Sequence, residues 1–186
     1  MKKALALILM ALSVVMAPLA HADEPVLYES GPYFIGQIGA YGAEETQQFN
    51  GYELSSDVSG HLAVGYKLNP MWSVQGDLGY FGTSGNNEYQ FNAMPLTVAV
   101  RLSLPAGKFE PYMLGGGGAY FCKTKMNQGG ETIDEVVMGG YLGLGALLHI
   151  GKMMVGGEFR YDFMDIYSRT APNAGIEALF SVGYQY

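Results

Sequence analysis

The sequence predicts an all-β fold, an eight-stranded antiparallel up-and-down transmembrane β-barrel, on three observations. First, in the C-terminal segment 174–186 every second residue from Ile176 onward is apolar or aromatic, and the residues between them are mostly small or polar. A period of two places one face of a strand against an apolar medium and turns the other face away from it. Second, no apolar run after Ala22 approaches the ~20 residues of a membrane-spanning helix. Third, the predicted strands are joined by short and long connections in turn, as in bacterial outer-membrane barrels.

Residues 1–22 have the features of a secretory signal peptide. Two lysines precede an apolar stretch at 4–20, and Ala20 and Ala22 form a small-x-small cleavage signal. The stretch is short and contains Pro18, which favours cleavage over a retained membrane anchor. We therefore divide the sequence, with cleavage near Ala22/Asp23, into a signal peptide at 1–22, a polar leader at 23–32 and a barrel at 33–186.

Eight segments show the alternation expected of membrane-crossing strands. We predict them at about 33–43, 59–68, 72–81, 91–104, 112–121, 136–150 and 154–163, followed by the C-terminal segment. The first is apolar or glycine on both faces, and we place Gln37 inward with Phe34, Ile38 and Ala40 outward. In the second, third and fourth, one face is apolar and the other is small or polar. In the sixth, an apolar face lies opposite Tyr141, Gly143, Gly145, Leu147 and His149. The seventh is the clearest, because aromatic and charged residues alternate. The fifth is rich in glycine, and its facing stays open.

The connections indicate the orientation. The second and third strands are joined by "NPM", the fourth and fifth by "PAGKFEP" and the sixth and seventh by "GKM", whereas the other connections are long and polar. An even strand number then places both termini on the short-turn, periplasmic side. Open sheet edges are not tolerated in hydrocarbon, so the sheet must close. At eight strands the interior is just wide enough for side chains to fill it.

Aromatic residues near the strand ends predict two interfacial girdles. The girdle residues are Tyr66, Trp72, Tyr112 and Tyr186 toward the short turns, and Tyr80, Tyr89, Tyr120, Phe121, Tyr161 and Phe163 toward the long loops. The alternative is a soluble eight-stranded barrel with its apolar face inward. That alternative would expose Asp77, Arg101 and Glu158 and would leave the girdles unexplained.

Five polar residues are predicted to reach similar heights inside the barrel: Gln37, Asp77, Arg101, Glu158 and Arg160. A buried charge needs a partner, so two arginines and two carboxylates could neutralise one another. This lumen polar cluster has two interpretations. It is either a structural plug of salt bridges or a gate whose rearrangement opens a narrow polar path.

Three segments carry a family resemblance: "GYKLNPMWSVQGDLGYFG" at 65–82, "FEPYMLGGGGAYF" at 109–121 and "GGEFRYDF" at 156–163. Together with the aromatic terminus, they make the mature chain similar to the small outer-membrane barrels of the opacity type and the outer-membrane-protein-A type. The resemblance implies a barrel, and we do not expect the peptidoglycan-binding domain that follows the barrel in some members, because the sequence ends at Tyr186. The expected partners are outer-membrane lipid and lipopolysaccharide, and the barrel-assembly machinery through Phe180, Val182, Tyr184 and Tyr186.

Several chemistries are disfavoured. Segment 168–177 resembles the end of lipid A deacylases, which would carry over Ser168 and Glu177, but the stretch before it supplies no histidine base. We expect His61 and His149 to be polar lumen or rim residues. Cys122 is the only cysteine, which excludes an internal disulfide and a cysteine metal cluster. The exported chain has 8 basic and 17 acidic residues, a formal charge of −9, which makes nucleic acid a poor partner.

The sequence therefore predicts a non-enzymatic outer-membrane protein without cofactor or metal. Its role would be structural or surface interaction through four long loops, since function on a rigid scaffold concentrates in loops. The extracellular ligand is unknown. The alternatives are a small pore and a lipid A-modifying hydrolase.

Overall fold

The structure is a computed structural model that describes residues 30–43, 54–55, 57–85, 89–126, 131–164 and 174–186. The predicted signal peptide, most of the leader and the greater part of the long loops lie outside these residues, as does Ser168. Among the described residues, no helix is long and apolar enough to cross a membrane.

Eight antiparallel strands form one closed sheet, which confirms the predicted fold class. The strands are β1 (Gly31–Ala43), β2 (Asp57–Lys67), β3 (Trp72–Gly85), β4 (Tyr89–Ser103), β5 (Phe109–Met126), β6 (Glu131–Ile150), β7 (Met153–Met164) and β8 (Ala174–Gln185). Each strand pairs with its neighbour in sequence, and β1 pairs with β8 from Tyr33↔Gln185 to Ala43↔Gly175, which closes the barrel. The two residues Leu54–Ser55 also pair with β3.

Inward and outward residues alternate along every strand, because successive side chains of a strand point to opposite faces. Gln37 faces inward and is 8% exposed, whereas Phe34 and Ile38 face outward at 45% and 61%. In the glycine-rich β5, whose facing the sequence left open, Leu114 and Tyr120 point inward. The large exposed hydrophobic side chains therefore form an outer apolar surface around an interior of polar, aromatic and aliphatic side chains.

The three short turns lie at one end, together with Ser30 and Tyr186. Gly107 and Gly151 have φ angles of 61° and 64° in two of these turns, where a side chain would strain the backbone. In the third turn, the Asn69 side-chain oxygen accepts hydrogen bonds from the backbone N–H groups of Met71 and Trp72, both at 2.9 Å. The Tyr186 N–H donates to the Pro32 carbonyl oxygen at 3.1 Å, which fastens the end of the closing seam.

Two expectations need correction. Strands β3 and β5 end at Gly85 and Met126 rather than at Phe81 and Phe121, and β6 begins at Glu131 rather than at Val136. Their extra residues are mostly polar, so they lack the apolar alternation on which the prediction relied. Tyr112 and Tyr120 were assigned to the girdles, but both point into the barrel and are 5% and 0% exposed. Their hydroxyls find carboxylate partners there, which a lipid-facing position could not offer.

Candidate functional site

The interior of the barrel is filled by buried side chains, many of which are polar or charged. The largest fully buried side chains are Arg160, Tyr41, Tyr120, Tyr141, Phe81, Phe91, Ile35, Leu147, Glu177, Thr124 and Asp77. Some of them belong to a polar network at mid-height and others to an apolar layer toward the long loops, and a separate ion cluster lies at the short-turn end.

Arg160 is the centre of the network. Its Nη2 and Nε atoms lie 2.8 Å and 2.9 Å from Glu158 Oε1, and its Nη2 lies 3.8 Å from Asp77 Oδ1. Gln37 donates to Glu158 Oε2 at 3.2 Å and accepts from Arg160 Nη2 at 3.3 Å. The structure thus brings four of the five residues of the predicted lumen polar cluster into direct contact.

Two tyrosines extend the network across the bore. The Tyr112 hydroxyl donates to Glu158 Oε2 at 2.8 Å, and the Tyr141 hydroxyl donates to Asp77 Oδ2 at 2.7 Å. The Arg160 guanidinium also lies 4.1 Å from the centre of the Tyr141 ring. Charge-assisted hydrogen bonds of this kind are among the strongest in proteins, so each carboxylate is held from several strands at once.

Arg101 makes no direct ion pair with a carboxylate among the described residues, although its charge still acts on Glu158 through space. We expected it to neutralise a carboxylate, but its guanidinium stacks over Tyr112 at 4.2 Å and over Tyr33 at 5.5 Å. Its Nε atom has no hydrogen-bond partner among the described residues. Arg101 lies inside the barrel as predicted, but its direct contacts are with the rings of Tyr112 and Tyr33 rather than with a carboxylate. The cation is held mainly by aromatic faces.

His61 and Glu177 form a second polar contact beside Arg160. His61 Nε2 lies 2.9 Å from Glu177 Oε2, and His61 Nδ1 lies 3.3 Å from Arg160 Nη1. Arginine can only donate, so His61 Nδ1 must accept, and its Nε2–H donates to Glu177. Sequence reasoning expected a polar lumen or rim residue at His61 but missed this contact. One sequence feature could have indicated that Glu177 points into the barrel, namely its position on the polar face of the C-terminal strand.

An ion cluster closes the short-turn end, and sequence reasoning missed it. Lys67 Nζ and His149 Nε2 each lie 2.8 Å from Glu110 Oε2, and Ser103 donates to Glu110 Oε1 at 2.6 Å. All four residues are at most 5% exposed. Their side chains come from β2, β4, β5 and β6, so the cluster ties half of the wall together.

An apolar layer fills the long-loop end of the interior. It consists of Tyr41, Phe81, Phe91, Ala93, Tyr120, Cys122, Val137 and Met164. The rings of Tyr41 and Phe81 stack with their centres 4.3 Å apart, and Tyr120 meets Phe81 edge-on at 6.3 Å. Cys122 is a buried member of this layer, and its thiol donates to the Tyr120 carbonyl oxygen at 3.7 Å.

Within the part of the chain that the structure describes, His61 and Glu177 do not form the catalytic arrangement of the hydrolase alternative, and Ser168 lies outside that part. Glu177 is fully buried against His61, and both nitrogens of His61 are already engaged by Glu177 and Arg160. A general base needs a free nitrogen that faces its nucleophile. Among the described residues, no group of three or more His, Cys, Asp or Glu side chains could hold a metal ion.

The other girdle residues whose side chains the structure describes face outward. Tyr66, Trp72 and Tyr186 are 48%, 44% and 65% exposed near the short turns, and Tyr80 and Phe163 are 54% and 43% exposed toward the other end. Phe121 and Tyr161, at 43% and 39%, face outward as well. Tyr89 belongs to β4, but its side chain lies outside the described residues. On β8, Phe180 and Val182 point outward, and Tyr184 packs edge-on against Tyr186 at 5.0 Å between ring centres.

This outer apolar surface, its two aromatic levels and the closed sheet define a membrane-embedded barrel. The model of the outer membrane protein beta-barrel domain matches residues 6–186, and the chain belongs to that family. It is thus an outer-membrane β-barrel protein, and the family indicates the bacterial outer membrane as its location. Comparison with curated protein sequences finds no match.

Solved structures share the fold at low identity. The Neisserial surface protein A is 11% identical with a TM-score of 0.63, over 84% of this chain and 99% of that chain. The N-terminal barrel of Pseudomonas aeruginosa OprF is 12% identical with a TM-score of 0.56, over 85% and 100%. Ail, the attachment invasion locus protein of Yersinia pestis, is 16% identical with a TM-score of 0.56, over 85% and 100%.

Proposed function

We propose that this protein is a non-enzymatic outer-membrane barrel that acts through its surface loops. The observation that carries the proposal is the filled interior. The ion cluster of Glu110, the network of Arg160 and the Tyr41–Phe81 stack occupy successive levels of the bore. An interior committed to holding the wall together leaves the loops as the part that is available for interaction.

The charge of the outer side indicates the chemistry of a partner. Residues 44–57, 86–88, 123–135 and 165–173 together contain nine acidic and three basic residues, a formal charge of −6. One Ail structure is described as a complex with the heparin analogue sucrose octasulfate, a polyanion. The acidic loops of the present chain repel such a polyanion, because like charges repel, and they attract cations. We propose cationic surfaces, such as basic host proteins, as the partners.

A small pore is the competing function. A conducting path would have to pass the aromatic layer and then separate Arg160 from Glu158, whose atoms are 2.8 Å apart. Separating a buried ion pair leaves two uncompensated charges, which makes spontaneous opening costly. The filled interior therefore supports a scaffold over a permeation protein.

The envelope partners follow from the outer surface. The exposed apolar residues and the girdles support contact with outer-membrane lipid and lipopolysaccharide. We also propose that the barrel-assembly machinery engages the C-terminal strand through Phe180, Val182, Tyr184 and Tyr186. Cleavage near Ala22/Asp23 stays a prediction, and sequencing the N-terminus of the membrane-extracted protein would check it.

One reconstitution experiment tests the proposal against the pore. Purified protein in lipid nanodiscs is passed over immobilised polylysine and immobilised heparin, and the same protein is placed in planar bilayers. We expect salt-sensitive binding to polylysine, none to heparin and no single-channel events. The matched variant replaces Glu44, Glu45, Glu53 and Asp57 by their amides and should bind polylysine more weakly. Regular conductance steps, or heparin binding by the wild type, would contradict the proposal.

A further inference from the structure

Two buried carboxyl groups, those of Asp162 and Glu177, meet inside the barrel. They lie on the inward faces of the neighbouring strands β7 and β8, where Glu177 pairs with Arg160 and Asp162 is two residues further along β7. The two side chains are in hydrogen-bonding contact with each other, and the residues are 1% and 0% exposed. Two ionised carboxylates repel each other at such a contact. The pair therefore requires either a compensating positive charge or a proton.

No basic side chain compensates the pair directly. The salt bridges of Arg160 go to Glu158 and Asp77. Within the part of the chain that the structure describes, no arginine or lysine forms a salt bridge with either carboxyl group of the pair. Together with Glu158 and Asp77, four carboxyl groups share this part of the bore with Arg160 and Arg101. If all four were ionised, two negative charges would stay uncompensated, which is strongly unfavourable for buried groups.

His61 does not supply the missing positive charge. Its Nε2 atom lies 2.9 Å and 3.2 Å from the two carboxylate oxygens of Glu177, and its Nδ1 atom lies 3.3 Å from Arg160 Nη1. An imidazolium ring would direct an N–H group at the arginine, which has no atom that accepts a hydrogen bond. The geometry therefore fits a neutral His61 that donates to Glu177.

Unmet hydrogen bonds gather around the pair. Four buried side-chain polar atoms lack a partner among the described residues, and three of them are Tyr41 Oη, Ser59 Oγ and Asp162 Oδ2. The Ser59 hydroxyl faces the Glu177 carboxylate. Tyr41 lies opposite Glu177 in the pairing of β1 with β8, and its ring lies over Gly175. Most buried polar atoms in proteins have partners, so this concentration marks the pair as the place where ionised groups alone do not balance.

The contacts of the two carboxyl groups differ. Asp162 Oδ1 accepts a hydrogen bond from the Tyr120 hydroxyl at 3.1 Å, whereas no donor among the described residues reaches Asp162 Oδ2. Both oxygens of Glu177 already accept from His61. A proton on Asp162 Oδ2 would give this oxygen an O–H to donate, and Glu177 is the acceptor in contact with it.

We propose that Asp162 and Glu177 form a buried proton-binding site, which holds one proton at neutral pH and in which Asp162 Oδ2 donates to Glu177. The proton takes the place of a buried cation and joins β7 to β8 on their inward faces. The titratable and charged groups that face the pair are Tyr41 of β1, His61 of β2, Tyr120 of β5, and Glu158 and Arg160 of β7. The inference involves neither the loops nor their partner, so its failure and that of the proposed function are distinguishable.

The bound proton gives the stability of the barrel a defined pH dependence. In the unfolded chain both carboxyl groups are ionised above about pH 5, so the folded state binds one proton more than the unfolded state. The free energy of unfolding then falls as the pH rises, because stability decreases with pH wherever the folded state binds more protons. This site alone should raise the unfolding equilibrium constant about tenfold for each pH unit.

The test combines infrared spectroscopy with urea unfolding of the full mature chain in detergent micelles. A protonated carboxyl group has a C=O stretching band that a carboxylate lacks, so the spectrum at neutral pH detects the proton directly. Asp162→Asn replaces the protonated acid by an amide of the same shape that can still donate to Glu177, and Glu177→Gln makes the equivalent change in its partner. Asp134→Asn is the matched control, because its exposed carboxylate forms a salt bridge with Lys123 at 3.5 Å, away from the pair.

We expect the carboxyl band in the wild type and in Asp134→Asn, and its loss in Asp162→Asn and in Glu177→Gln. Between about pH 5 and pH 8, the unfolding constant of the wild type should rise about tenfold per pH unit relative to that of Asp162→Asn. Asp134→Asn should follow the wild type. A wild-type spectrum without the band, or an equal pH dependence of the wild type and Asp162→Asn, would overturn the proposal. If both amide variants lack the gel mobility of the folded barrel, the wild-type spectrum alone decides.

Discussion

The Tyr141 hydroxyl donates a 2.7 Å hydrogen bond to Asp77 Oδ2, and this bond joins β6 to β3 across the bore. The two strands are not neighbours in the sheet. Contacts along the wall fix each strand only against the next one, whereas this bond fixes two opposite sides of the cylinder. The interior network therefore sets the cross-section of the barrel as well as its charge balance.

Removing this bond should cost measurable stability. Tyr141→Phe keeps the ring over Arg160 but leaves Asp77 with one hydrogen bond fewer. We expect the free energy of unfolding to fall by about 1–3 kcal/mol, the usual cost for a buried bond to a charged group. Urea unfolding followed by Trp72, the only tryptophan, measures the change. Tyr66→Phe, at a 48% exposed position on the outer surface, is the control and should change stability little.

Replacing the two buried arginines should have unequal effects. Arg160→Met removes the cation that faces Glu158 and Asp77, and breaking a buried ion pair typically costs about 3–5 kcal/mol. Arg101→Met removes stacking over two tyrosines, for which we expect about 1–2 kcal/mol. The same urea titration compares them. An Arg101→Met variant that is less stable than Arg160→Met would contradict the role assigned to Arg160.

The ion cluster at the short-turn end should behave as a unit. Glu110→Gln removes the carboxylate that lies 2.8 Å from Lys67 Nζ, and Lys67→Met leaves Glu110 with His149 and Ser103. We expect each single variant to be destabilised, and the double variant to be more stable than the sum of the two losses predicts, because both single losses include the same contact between Lys67 and Glu110. Strict additivity in the double-mutant cycle would argue against the coupling.

Close approach of the strands should make some glycines irreplaceable. A Cβ at Gly118 would collide with the backbone of Leu96, whereas a Cβ at Gly76 would meet only the Thr97 carbonyl oxygen at 3.9 Å. We expect Gly118→Ala to reduce the yield of folded barrel, measured as the heat-dependent shift in gel mobility. Gly76→Ala should fold like the wild type, and an equal yield from both variants would refute the packing argument.

The sequence was sufficient to predict where strands lie and which way most side chains point, because apolar and polar residues alternate along most of the strands. It was not sufficient in β5, where four consecutive glycines carry no alternation, and so Tyr112 and Tyr120 were placed on the wrong face. It also could not predict that Arg101 meets Tyr112 while Arg160 meets Glu158. Such pairings depend on the stagger between strands and on the length of the side chains. The stagger cannot be predicted from the sequence of one strand alone.

The alternation of outward and inward positions has a consequence for how this chain can change over time. The lipid face asks only for apolar character, so residues such as Val64, Val98 and Met138 are interchangeable with most other hydrophobic residues. Residues on the inward face need particular shapes and contact partners, so residues that contact one another can be substituted only together. Many different sequences can therefore specify this architecture, and the solved barrels that share the fold at identities of 11–16% agree with that.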